Sequence, residues 1–74
     1  MGRLRVLSGK QVCALLAEHG FVAVRQRGSH IVMQRRVGAS SITVPVPNHR
    51  EIAIGTLLSI IRQSQVLRSV FEVD

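Results

Sequence analysis

A chain of 74 residues with nine arginines, one lysine and only four acidic side chains carries a formal net charge of +6. It has length for one small domain, and 46% hydrophobic residues is too many for a disordered segment. A single cysteine, Cys13, excludes an internal disulfide and a cysteine-based zinc site and suggests a reducing, cytoplasmic setting, and no run approaches the roughly 18 apolar residues of a membrane span.

The first element is a helix with both ends marked. In "LSGKQVCALLAEHGF", Ser8 is the N-cap and Gln11 completes a capping box, with Leu7 and Val12 placed for a hydrophobic staple. Val12, Leu15, Leu16 and His19 form the apolar stripe. Gly20 suits the left-handed position after the helix, which lets Phe21 fold back on Leu16. Two β-rich runs follow, "FVAVRQR" and "HIVMQRR", separated by Gly28-Ser29. Glycine first in a two-residue loop suits a type II′ hairpin. "VGAS" makes a looser turn into "SITVPV", whose Ile42, Val44 and Val46 share one face. Pro45 has no N–H to give, so this strand belongs at an edge or ends there. "PNHREIA" is a loop. "GTLLSIIRQS" is a second helix with Leu57, Ile60 and Ile61 inward, starting near Ala53 or Thr56, and "VLRSVFEVD" adds a short terminal turn. The order α-β-β-β-α is buried most economically as an α+β fold: a three-stranded antiparallel sheet with both helices on one face.

The Gly28-Ser29 loop fixes the hairpin register. Arg27 falls opposite His30, Gln26 opposite Ile31, Arg25 opposite Val32 and Val24 opposite Met33. Alternation then sends Val22, Val24, Ile31 and Met33 toward the helices and Arg25, Arg27, His30, Gln34 and Arg36 to the open face. A histidine among arginines has a chemical use. A neutral imidazole can take the proton of a ribose 2′-hydroxyl, while guanidinium groups hold the neighbouring phosphate and stabilise charge developing on it. That combination outlines RNA cleavage with no metal or other cofactor. The competing reading is a histidine merely exposed beside a turn in a solvated charge run. His19, at a helix end, and His49, in a loop, offer less. Two phenylalanines and no tryptophan or tyrosine leave little on which to stack bases, so recognition is expected to run through phosphate and ribose.

"HGFVAVRQRGSHIVMQ", "ITVPVP" and "GTLLSIIRQS", in this order, resemble the HicA family of bacterial toxins from about Ser8 to Phe71. The resemblance implies one domain over residues 1–74, a fold similar to the double-stranded-RNA-binding domain, an mRNA interferase activity and inhibition by a HicB-like antitoxin. It makes His30 the catalytic residue and Gly28 and Ser29 the turn presenting it. Arg25 and Arg27 are the expected phosphate contacts, with Lys10, Arg35, Arg36 and Arg50 as a wider RNA-binding surface. Two positions depart from the family's pattern. Leu58 replaces a polar or basic residue, and either packs under the C-terminal segment or marks a protein interface. Gln65 stands where a glycine is usual, so the second helix is expected to run longer or to end differently.

Three functional readings follow: a ribonuclease toxin, a non-catalytic module that holds the RNA backbone, and an adaptor that docks an acidic protein. No membrane partner is expected, because the basic residues do not line one face of an amphipathic helix. The oligomeric state is left open.

Overall fold

The computed structural model describes residues 2–73. Its elements are α1 (Gly9–Ala17), β1 (Val22–Arg27), β2 (His30–Val37), β3 (Ser40–Pro47), α2 (Ile54–Ser64) and a 3₁₀ turn (Arg68–Phe71). The sheet is antiparallel in the order β1-β2-β3. One core joins both helices to one face of it, through Val12 and Leu16 of α1, Leu57 and Ile60 of α2, and Met33, Val44 and Val46 of the sheet.

The ends of α1 form as its sequence dictates. Ser8 accepts from the Gln11 N–H while the Gln11 side chain accepts from the Ser8 N–H. At the far end the Phe21 and Gly20 N–H groups return to the Leu16 and Ala17 carbonyls, with Gly20 at φ +92°. These two bonds are the Schellman arrangement, and they drive Phe21 into the core, 1% exposed. Gly9 cannot be larger, since a Cβ there would collide with the Pro47 carbonyl. The start of α1 is thereby held against the end of β3.

Both hairpins turn in two residues. Gly28 (φ +58°) is the only residue of the first loop with positive φ, as a II′ turn requires. Gly38 (φ +61°) does the same between Val37 and Ser40, which pair directly, so "VGAS" is as tight as the first turn rather than looser. Pro45 lies in β3, an edge strand, as its missing N–H demands.

The expected register holds from Arg27↔His30 to Arg25↔Val32 and then breaks. Ala23, not Val24, faces Met33, with a bulge between Ala23 and Arg25. Two requirements collide here. The buried Phe21 sets the phase at the strand's start, putting Ala23 on the helix side. The turn sets the phase at its end, putting Arg25 and Arg27 on the open side. These phases differ by one residue, and Val24 absorbs the mismatch. Val22 and Val24 are consequently 60% and 42% exposed instead of facing the core.

The C-terminal half departs twice from expectation. The second helix starts from Ala53 without a side-chain cap and stops at Gln65, which takes the left-handed conformation at φ 62° itself, so the usual stop is kept without the glycine. Ser64, fully buried, secures it by donating to the Ile61 carbonyl and accepting from the Val66 N–H. Leu58 stays 39% exposed near Ile54, so the C-terminal segment leaves it at the surface. That segment instead pairs with the N-terminus: Val73 donates to the Arg3 carbonyl and Arg5 to that of Phe71, both at 2.8 Å, and Phe71 closes the core.

Candidate nucleic-acid interface

The open face of the sheet is laid out in cross-strand rows by the register. Arg27, His30 and Pro47 form the row next to the turn. Arg25, Val32 and Pro45 form the next, and Gln34 and Thr43 the one after. Rows on one face are two residues apart, about 7 Å along the strand. Arg25, Arg27, His30, Val32, Thr43 and Pro45 line an open concavity of about 520 Å³.

The turn presenting His30 is tied down from both sides. The Gln26 amide donates to the Gly28 carbonyl at 3.3 Å. The Asn48 N–H donates to the Ser29 carbonyl at 2.6 Å, joining the hairpin to the chain that leaves β3. His49 follows, and its carbonyl accepts from the Gly9 N–H at 2.8 Å. The hairpin tip, the exit of β3 and the start of α1 are thus one hydrogen-bonded unit. His30 is exposed and lines the concavity.

Of the residues expected from sequence to contact RNA, Arg25 and Arg27 join His30 in this concavity. Lys10 and Arg50 come together in a second one, about 280 Å³, with Ser8, Asn48 and His49. Asn48 belongs to that lining and also bonds the turn, so the two concavities flank the Gly28-Ser29 tip. Arg35 and Arg36 are not gathered there. Arg35 alternates to the helix side of β2, with its side chain beside Gly20. Arg36 shares the face of His30 but pairs with Ser41 at the far end of the sheet, about 20 Å along the strand.

Three lining residues escape a search by charge: Val32, Thr43 and Pro45. The signal for them is strand alternation carried across from His30 to β3. His49 and its neighbour Arg50 likewise meet Lys10, a cluster that the linear order does not show. Cys13 is half-buried on α1, and burial pushes its thiol above its ordinary value, the wrong direction for a nucleophile. Among the described residues no group of three potential metal-ligating side chains exists, and no helix is long and apolar enough to cross a membrane.

In comparisons with known proteins, the sequence model of a family described as "HicA toxin of bacterial toxin-antitoxin" matches residues 9–66, more than three quarters of the chain. No curated protein and no solved structure matched. The matched span runs from the first residue of α1 to just beyond α2 and contains the whole sheet.

Proposed function

Because the chain belongs to the HicA toxin family of bacterial toxin–antitoxin systems, we propose that its toxic activity is metal-independent endonucleolytic cleavage of mRNA, with His30 as the catalytic group. The observation that carries this reading is the grouping of Arg25, Arg27 and His30 in one concavity at a braced hairpin tip. In this reading the imidazole of His30 takes the proton of a ribose 2′-hydroxyl. The 2′-oxygen attacks the adjacent phosphorus as the bond to the 5′-oxygen breaks. Arg25 and Arg27 hold the non-bridging oxygens and stabilise the charge growing on them. The products are a 2′,3′-cyclic phosphate and a 5′-hydroxyl, whose oxygen is protonated from solvent. No second acid lines the concavity.

A toxin of this kind has an antitoxin partner. We assign a HicB-like protein to that role and the basic open face to its footprint, since covering that face blocks RNA and phosphate contacts together. The fold is read as a relative of the double-stranded-RNA-binding domain, and the setting as cytoplasmic, where mRNA is found.

The test is incubation of the purified protein with RNA in EDTA, with analysis of the ends. Cyclic-phosphate termini from the wild type and none from a folded His30→Ala variant are expected. Cleavage by that variant would remove His30 from its role. RNA that binds and stays intact would leave a backbone-binding module in place of an enzyme.

A further inference from the structure

The concavity holding His30 contains more than its cations require. Val32 is 5% exposed, yet its register with Arg25 and Pro45 places it on the open face. It stands outside the core cluster that takes up the other buried aliphatic side chains. Pro45, exposed, makes an apolar floor one row from His30, with the closed Val32 beside it and Arg25 at its side. At the next row the Gln34 amide donates to the Thr43 hydroxyl at 3.2 Å. That bond leaves the hydroxyl proton of Thr43 and the amide oxygen of Gln34 free.

We infer that this floor is a nucleobase subsite: the base next to the bond being cut lies on Pro45, backed by Val32, and the Thr43–Gln34 pair reads its edge. The inference rests on the proposed RNA-cleaving role of the face. Three observations fix the occupant. The floor adjoins the arginines and the histidine rather than standing alone, so its ligand is anionic at one end and flat and apolar at the other. The row spacing of about 7 Å is one a ribose bridges between phosphate and base. The cavity volume, about 520 Å³, falls in the roughly 300–1,000 Å³ range of small-ligand sites. The chain thus has a non-aromatic substitute for the stacking surface that its composition lacks, and recognition is not confined to phosphate and ribose.

The experiment uses the full chain and a dinucleotide made uncleavable by a 2′-deoxy sugar at the reacting position. It is compared with the same backbone lacking each base in turn, and binding is followed by NMR shifts. Removal of the base on the floor is expected to weaken binding by about fivefold or more, with shifts at Val32 and Thr43. Thr43→Val, which keeps the shape and deletes the hydroxyl, changes the affinity ratio between at least two of the four bases by about threefold or more, as one hydrogen bond allows. Arg27→Ala weakens all four alike. Equal binding with and without each base would overturn the subsite while leaving phosphate recognition intact. If neither backbone binds, RNA recognition by this face fails and takes the subsite with it, leaving the face to a protein partner.

Discussion

Val32 and Met33 are adjacent in β2, and each is almost closed to solvent, at 5% and 2% exposed. Met33 points to the helices, packs in the core and faces Val44 across the sheet. Val32 points the other way, outside that core, and lines the His30 concavity. Burial alone would class them together. What separates them is which side of the sheet they close: one face is packed for stability, the other is assembled around cations and an imidazole.

The sharpest break between the faces is expected at His30. His30→Ala should lower RNA cleavage by a factor of about 100 to 10,000, the usual worth of a positioned proton acceptor. Because His30 is exposed and lies outside the core cluster, its loss should cost no more than about 0.5 kcal/mol, as for surface substitutions, and shift the thermal midpoint by no more than about 2–4 °C. Parallel cleavage assays and thermal melts check both halves.

Next comes the adjacent pair. Met33→Ala should cost about 2–5 kcal/mol in denaturant unfolding through lost burial and a cavity. Val32→Ala should cost about 1 kcal/mol, since its neighbours are surface groups able to relax over it. The functional order reverses: Val32→Ala should depress RNA binding, and Met33→Ala, where still folded, should not. Equal unfolding costs would show that the open face carries a core of its own.

Smaller still are the effects of the cations. Arg25→Ala and Arg27→Ala should each reduce the slope of log affinity against log salt by about 0.7, the share of one phosphate on a single strand. Arg35→Ala, on the helix side beside Gly20, should leave that slope alone. A salt titration of RNA binding tells these apart, and an equal change from Arg35 would mean that the RNA wraps beyond the open face.

Much of this was legible in the sequence because the signals were local. The Ser8–Gln11 capping box, the Gly20 helix end and the Gly28-Ser29 turn each sit within a few residues, and each formed as read. From the turn alone, Arg25, Arg27 and His30 were expected on one face, and they line one concavity. Val24 was not legible. Phe21 and the turn obey sound local rules that disagree by one residue, and only packing of the whole sheet decides where the disagreement goes. The Leu4–Glu72 pairing joins segments nearly seventy residues apart, and no pattern in either announces the other. Charge nominated Arg35 and Arg36 along with Arg25 and Arg27, but alternation and distance place them outside the His30 concavity. Charge also passed over Val32 and Pro45, which carry none.

The smallest effect isolates stability from both faces. Gln65 ends α2 at φ 62°, a conformation that glycine adopts without penalty and that costs other residues about 1–2 kcal/mol. Glycine also loosens the unfolded chain, which returns about 0.4–1 kcal/mol of that gain. Gln65→Gly should therefore stabilise the protein by roughly 0.5–1 kcal/mol, a rise of a few degrees in Tm for a domain of this size. Neither the Gln65 side chain nor its helix end lines either concavity, so cleavage and the salt slope should not move. A melt and a cleavage assay on this one variant then test whether the two faces are independent. A change in cleavage would mean that α2 transmits strain through Val44 and Val46 to the row that holds His30, and that packing and chemistry on this sheet are coupled.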